Sequence, residues 1–425
     1  MENLEGKKLL VLGANYSTVN LIELAHRLGV YVYVTSHLER GQARDIADEN
    51  VFIDIDDNDK IVEYIKEHQI DGVMTGASEY HNLNMIRICT KAGLPVCATE
   101  DIWNLCQDKR NFKDLCKNNG VPAVPEFTVD DKLRDTDYPV IVKPIDGCSS
   151  RGISVCHNDQ ELVQAKKAAL DASPTKSILI EKYIDNGGIT NMVKYVAIDG
   201  QYYIEAMGDR YVLNHGLITA NTFYPSKYLK KWIQDINPFV EKMLRSIGFR
   251  NGIIAFQTIP DGENIYVYEC CLRLTGGMTY KMTSATSGND SMEMLLHYSL
   301  TGEMCDPIDI QKIDPAFKGK FGSSFAIPLK VGTINTIDGI EKIVLMPTVV
   351  DFTHYYEIGD TIVEKNQNTL DQLYARIMVV AESEEKIFES LQFIRKELRI
   401  TDNNGDDMII WDTYDRIYQE YCSRN

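Results

Sequence analysis

Four residues in one short stretch, Gln257, Glu269, Cys271 and Arg273, bring together an amide, a carboxylate, a thiol and a guanidinium. Two strand-forming runs carry them, residues 252–259 and 264–274, and the Pro-Asp-Gly step between the runs is a turn signal. The segment therefore reads as a β-hairpin. Folding it about the turn sets Gln257 roughly opposite Glu269. Side chains alternate along a strand, so Glu269, Cys271 and Arg273 share one face and Tyr268, Cys270 and Leu272 take the other. Hard oxygen ligands of this kind suit a divalent cation, and a facing arginine suits an anion that the cation also touches. A solvated sheet face with an incidental ion pair is the competing reading of the hairpin alone.

A second group lies upstream. The apolar strand YPVIVKPI, residues 138–145, is interrupted by Lys143, and a buried lysine is costly unless an anion neutralises it. The loop DGCSSRG, Asp146 to Gly152, follows directly. Gly147, Ser149, Ser150 and Gly152 give it backbone donors, hydroxyls and conformational freedom, the properties of a loop that wraps phosphate oxygens. A Gly/Ser loop alone is more often a plain turn; the adjoining strand lysine favours the phosphate reading.

These residues need elements to hold them. KKLLVL running into Gly13, a helical pattern over 18–28, the strand VYVYVT, a helix over 61–67 and a strand over 72–75 make a parallel doubly wound α/β opening. Gly13 is the only glycine where a dinucleotide fingerprint wants three, which argues against a nicotinamide cofactor. The loops around Gly13 to Ser17 and Gly76 to Glu79 still fall at the carboxyl edge of that sheet. Glu79 either orients a substrate amine there or serves as a helix N-terminal acid. From Asp108 a basic amphipathic helix runs to Gly120, and ILIEKYI (178–184) is a further strand. Strand character returns over 192–198 and 201–206, and residues 227–247 read as helix with a break at Pro238. After the hairpin come Thr275-Gly276-Gly277 and a helix over 291–300. Beyond residue 318, short strands are expected over 322–329, 332–337 and 341–346, a helix over 384–398, and a frayed polar tail after Thr401.

The chain has 425 residues, enough for two or three domains, with 44% hydrophobic and 25% charged residues. A net charge of −18 excludes a general nucleic-acid binder, which needs a basic surface. No apolar run approaches a membrane span and MENLEGKKLL lacks the order of a secretory signal, so a cytoplasmic protein without membrane or nucleic-acid partners is expected. Ten cysteines show neither a disulfide framework nor zinc-ligand spacing.

In order and spacing, DKRNFKDLCKNNGVPAVP, PVIVKPIDGCSSRGI, ILIEKYIDNGG and FQTIPDGENIYVYECCLRLTGG resemble the motifs of the ATP-grasp superfamily. The resemblance is closest to the branch holding bacterial L-amino-acid ligases and carbamoyl-phosphate-synthase-like proteins. It implies an ATP-grasp fold of α/β and α+β character: an N-terminal domain over 1–107, the ATP-grasp domain over 108–317 with a mobile lid about 121–185, and a closing α+β domain over 318–425. By position, Lys109 and Lys143 match the lysines that reach the nucleotide phosphates, and Asp146 to Gly152 the loop that closes over them. Glu181, Lys182 and Ile184 match the hinge that reads adenine. Gln257 and Glu269 match the metal-ligand positions, and Arg273 the arginine facing the transferred phosphate. Arg210, Gly276 and Gly277, with Glu79, fall near the substrate. Two departures stand out. Cys271 replaces the usual second-metal asparagine, and no acid stands where ribose is held, because Asp185 is too early and Ile189 or Asn191 lies near that place. The implied cofactors are ATP and Mg²⁺, with Mn²⁺ an alternative. The implied reaction is activation of a small carboxylate as an acyl phosphate and its capture by an amine, in a protein that is expected to be a homodimer. A bicarbonate or thiol acceptor, or a non-catalytic nucleotide-binding module, would keep most of the same motifs.

Overall fold

The computed structural model describes residues 3–14, 16–36, 40–146, 152–213, 218–262, 264–304 and 307–424. Strands β1 (Lys8–Leu12), β2 (Tyr31–Thr35), β3 (Glu49–Val51) and β4 (Gly72–Thr75) form an all-parallel sheet in the order β3-β2-β1-β4. Their near-continuous apolar runs follow from burial on both faces. Leu9 and Val11 pack into one core and Leu10 and Leu12 into another. The helix Glu79–Ala92 starts from a Ser78 cap at the carboxyl edge of this sheet, as expected for the loop after β4.

Helix Lys109–Asn119 is capped by Asp108, whose side chain accepts from the Asn111 N–H at 2.8 Å, and ends at Gly120, whose φ of 78° is one that glycine adopts without strain. A small antiparallel sheet follows, in the order β5-β8-β6-β7, from β5 (Glu126–Phe127), β6 (Val140–Pro144), β7 (Ser154–Cys156) and β8 (Ile178–Lys182). Val140, Val142, Ile178 and Ile180 face the helix Asp159–Ala172 and close one core. Alternation then sends Lys143 and Glu181 to the opposite face. Gly147, Ser149 and Ser150 of the expected phosphate loop lie outside the described residues.

The largest element is an eight-stranded antiparallel sheet. It uses β9 (Ile189–Ile198), β10 (Gln201–Val212), β11 (Thr219–Tyr224), β12 (Gly252–Asp261), β13 (Asn264–Cys271) and β14 (Phe321–Pro328). Beyond β14 come the short strands β15 (Gly332–Thr333) and β16 (Thr336–Asp338), then β17 (Val349–His354), β18 (Thr361–Ile362), β19 (Leu373–Ala381) and β20 (Arg399–Thr401). The sheet runs β13-β12-β9-β10-β11-β14-β19-β17, so three strands from beyond residue 318 continue the sheet begun by the hairpin.

Several expectations need correction. Residues 341–346 are not a strand: helix Ile340–Ile343 starts from Gly339, and its Ile343 is buried. The run EKIVLM is short and apolar, and such a run does not distinguish strand from helix. Residues 332–337 form two short strands with different partners, β18 and β20, instead of one. The tail after Thr401 is ordered. Met408 and Ile409 are buried, and helix Asp412–Arg424 buries Tyr414 and Ile417 and stacks Tyr421 on Phe388 at 4.0 Å between ring centroids. Its aromatics recur at helical spacing, which outweighs the polar composition. The elements not anticipated include helices Glu100–Gln107, Asp159–Ala172 and Thr279–Ser287, the strands β11 and β17, and the buried strand β19.

Asp290 caps helix Ser291–Thr301 through its contacts to the Met292 and Glu293 N–H groups, and burial pushes its carboxyl up to about 6. The folded state thus holds this proton more tightly than the unfolded chain. Its contribution is full below about pH 4 and is lost as pH rises through about 6. Asp290→Asn, which keeps a capping oxygen, should flatten that part of the stability profile and stabilise the protein at pH 7 by roughly 1–3 kcal/mol. Urea unfolding at pH 4.5 and 7 measures this; an equal or larger loss at pH 7 would contradict it.

Candidate functional site

The hairpin forms as expected, with Gln257 opposite Glu269 in the antiparallel register of β12 and β13. The register then slips: Thr258 pairs with Val267, so Tyr268 is an extra residue on β13. Such a bulge interrupts the alternation of side chains. Tyr268, expected on the far face, instead donates through its hydroxyl to Gln257 Oε1 at 3.0 Å. Gln257 Nε2 donates to Glu269 Oε2 at 2.9 Å, and Arg210 Nη1 donates to Gln257 Oε1 at 2.7 Å. Arg210 is held by Thr219 Oγ1, at 3.0 Å from Nε and 2.7 Å from Nη2.

Arg273 does not pair with Glu269. Its Nε and Nη2 lie 2.7 and 2.6 Å from Glu79 Oε1, so the first turn of an N-terminal helix is clamped onto the hairpin. Burial works against the Arg273 charge, yet Cys271, Glu79 and Glu269 hold its pKa above the ordinary arginine value. Cys271 is pushed up to about 11 by burial, and its thiol lies 3.9 Å from the Ala255 carbonyl. It stays a neutral thiol at neutral pH, unsuited to a hard cation.

These residues line a cavity of about 500 Å³ together with Gly276, Gly277, Thr275, Thr222, Ser324 and Arg376. A methyl group on Gly276 or Gly277 would meet nothing closer than 4.0 Å, so the two glycines keep that wall open. Arg376, in the unanticipated strand β19, escaped notice. Its signal was the one that marked Lys143, a lone cation in an apolar run, here LYARIMVVA.

The lysine group gathers at the seam between the two sheets. Lys143 is 8% exposed and lies 2.5 Å from Glu181, which is 4% exposed and also pairs with Lys113. The anion that neutralises the strand lysine is therefore Glu181 of the chain itself. Lys109 Nζ donates to the Ile145 carbonyl at 3.3 Å, at the root of the loop. Asp146 accepts from Ser173 Oγ at 2.6 Å and from the Thr175 N–H at 2.8 Å, just beyond helix Asp159–Ala172. The hydrogen bond from Ser173, ahead of that from Thr175, pulls its carboxyl down to about 2. Gly152, at φ 73°, presses on helix Asp159–Ala172, where a Cβ would come within 2.6 Å of the Ala172 side chain. Lys182 is exposed and lies 3.5 Å from Asp261 in the hairpin turn, while Ile184 is buried. Asn191, near the ribose position, is buried and donates to Asp209 at 2.6 Å. Tyr268 joins the two halves, since it lines both the cavity and a narrow cleft shared with Lys109 and Glu181.

For a metal, the oxygen donors fit. Glu269 is exposed at the cavity, with the Gln257 amide beside it. Among the described residues no three His, Cys, Asp or Glu cluster together, so a cation on Glu269 would complete its shell with ligand or water oxygens.

Residues 136–280 match the ATP-grasp domain family. Among curated proteins, the chain is 28% identical over 206 residues to the 2-oxoglutarate carboxylase small subunit of Hydrogenobacter thermophilus, 42% of this chain and 43% of that protein. It is 22% identical over 301 residues to the carbamoyl phosphate synthase large chain of Clostridium botulinum, 65% of this chain and 28% of that one. The matches thus span less than half the length of these relatives. Among solved structures, L-amino acid ligase from Bacillus licheniformis superposes with a TM-score of 0.76 at 19% identity, covering 94% of this chain and 99% of that one. Phosphoribosylglycinamide synthetase from Anaerococcus prevotii also scores 0.76 at 19% identity, over 94% and 100%. No helix of the described residues is long and apolar enough to cross a membrane. Residues 136–280 belong to the ATP-grasp domain family, and the chain built around them has the ATP-grasp fold.

Proposed function

We propose that this protein is an ATP-dependent ligase that activates a small carboxylate as an acyl phosphate and joins it to an amine, releasing ADP and phosphate. One observation carries the reading: Tyr268 lines both the cleft with Lys109 and Glu181 and the cavity with Gln257, Glu269 and Arg273. A cleft lined by candidate phosphate-binding groups beside a substrate-sized cavity, with Tyr268 in the wall of both, fits an in-line transfer to a small acid.

A carboxylate approaching a triphosphate is repelled by like charge. The roles assigned here offset it: Lys109 and Lys143 toward the phosphates, Glu269 and Gln257 toward Mg²⁺, and Arg273 toward the transferred group. Bound Mg²⁺·ATP supplies the phosphoryl group and the charge that polarises it. Lys143 and Glu181 are already paired, so nucleotide binding would draw the lysine from its partner toward phosphate. Glu79 positions Arg273 by holding its Nε and one Nη. The lid over 121–185, hinged at Glu181, Lys182 and Ile184, and the segment from 318 would exclude water from the acyl phosphate. Gly276, Gly277 and Arg210 shape the acceptor side.

The relatives include a carbamoyl phosphate synthase, and one similar structure is that of a biotin carboxylase domain in complex with MgADP and bicarbonate. Bicarbonate is therefore the rival acceptor. A cavity of about 500 Å³ suits a small organic molecule better. Cytoplasmic location and a homodimer are further parts of this proposal.

Lys143→Met should abolish turnover and weaken ATP binding by roughly 1.5–3 kcal/mol, the scale of a hydrogen bond to a charged group. Calorimetric titration with ATP measures it, and unchanged affinity would remove the lysine from the nucleotide site. Glu269→Gln keeps shape and removes charge, so half-maximal ADP formation should require at least ~10-fold more Mg²⁺, a loss of about 1.4 kcal/mol. Screening pairs of amino acids for ADP release, with mass analysis of the product, tests the reaction itself. An amide product supports a ligase; ADP release that needs bicarbonate and no amine points to the rival.

A further inference from the structure

The cavity wall opposite the hairpin has no part in the chemistry above, and it is basic. Arg376 in β19 is 6% exposed, and its Nη1 donates to Ser324 Oγ at 3.1 Å. Ser324 is in register with Thr222, and Thr222 with Arg210, so Arg210, Thr222 and Ser324 form one row across β10, β11 and β14. Arg376, paired with Ala326, extends that row diagonally. Among the described residues neither Arg210 nor Arg376 has a carboxylate partner, whereas Arg273 has Glu79. Three guanidiniums and a single carboxylate, Glu269, thus line one cavity. A buried guanidinium without a counter-charge is costly, and the planar fork suits an oxyanion.

A second observation points the same way. Thr275 is one of the residues that line the cavity, it is only 5% exposed, and its Oγ1 lies just behind the surface with no hydrogen-bond partner. Thr190 Oγ1, on the same lining, is also buried without one. Buried hydroxyls left unpaired beside a polar cavity call for an explanation, and rotation of either side chain toward a bound ligand would supply the missing hydrogen bond.

Position completes the case. β19 and β12 are not neighbours in the sheet, yet Arg376 and Gln257 line the same cavity of about 500 Å³, on different parts of its wall. The reacting end of a substrate would lie at the hairpin, and Arg376 would meet the other end.

We propose that the substrate carries a second oxyanion, a carboxylate or a phosphate, remote from the reacting carboxyl group, and that Arg376 with Ser324 reads it. The proposal rests on the ligase reading only for which end reacts. Arg376 is on this account a specificity-determining residue for acidic, elongated substrates.

Binding without turnover tests it first. Glutarate, adipate and pimelate, titrated calorimetrically into the full-length protein, should bind more tightly than monocarboxylates of equal length. Arg376→Gln should weaken the diacids by roughly 10- to 100-fold, the effect of losing a hydrogen bond to a charged group, and leave the monoacids alone. Arg376→Lys should retain part of the affinity, and Ser324→Ala, which leaves the guanidinium in place, should weaken diacids by a smaller factor if Arg376→Gln fails to fold. Glutamate against O-phosphoserine separates a carboxylate from a phosphate end. In turnover, Arg376→Gln should raise KM for an acidic substrate with kcat changed less than about threefold, since the contact exists in both ground and transition states. Equal binding of mono- and diacids, or diacid affinity unchanged by Arg376→Gln and Ser324→Ala, would overturn the proposal. Diacid binding without ADP formation on any pair would refute the ligase reading and leave the anion site standing. ADP formation only with neutral substrates would do the reverse.

Discussion

The pairing of β12 with β13, and the one-residue slip within it, sets the geometry on which the rest of the site depends. Gln257 and Glu269 face each other because the register holds up to that pair. Beyond it, the bulge turns Tyr268 toward the same side, and its hydroxyl and Arg210 both donate to Gln257 Oε1. The amide is thereby fixed with its nitrogen toward Glu269. Ligation through the Gln257 oxygen would require the amide to turn and Arg210 to give up its contact. A metal held by Gln257 would thus be coupled to the placement of Arg210 through that one side chain.

Charge is distributed by the same logic. Several cations around the cleft and the cavity are matched within the chain, Lys143 and Lys113 by Glu181 and Arg273 by Glu79. Two of those pairs connect different parts of the molecule: Lys113–Glu181 joins the helix after Asp108 to strand β8, and Arg273–Glu79 joins the hairpin to the helix Glu79–Ala92. A site assembled from three segments gains its alignment from such contacts, because a buried partner left alone is penalised more heavily than the pair is rewarded. Arg210 and Arg376, without acidic partners among the described residues, fall outside this scheme and face the cavity together.

Much of this was legible in the sequence, for identifiable reasons. The parallel N-terminal sheet could be read because doubly buried strands are continuously apolar and alternate with helical patterns over 18–28 and 61–67. The hairpin could be read because Pro-Asp-Gly leaves few alternatives. What escaped depended on context. The bulge at Tyr268 leaves no mark in the residue types, so its face was misassigned. Residues 341–346 were too short for their periodicity to decide, and the tail after Thr401 was judged by composition although Tyr414, Ile417 and Tyr421 recur at helical spacing. Lys143 was noticed as a cation in an apolar strand, but its partner Glu181 was assigned only to the hinge, because pairing across a sheet is not visible along the chain. Arg376 carried the same signal as Lys143 and was missed because β19 itself was not recognised.

The central claim is that the cleft and the cavity form one active site in which a carboxylate oxygen attacks phosphorus. Its most direct test labels both carboxyl oxygens of a substrate that supports ADP formation with heavy oxygen and follows the label by mass analysis. Attack by the carboxylate predicts that one labelled oxygen appears in the released phosphate for each product formed, the other staying in the amide. Phosphate that carries no substrate label, with its new oxygen drawn from solvent water, would contradict the account.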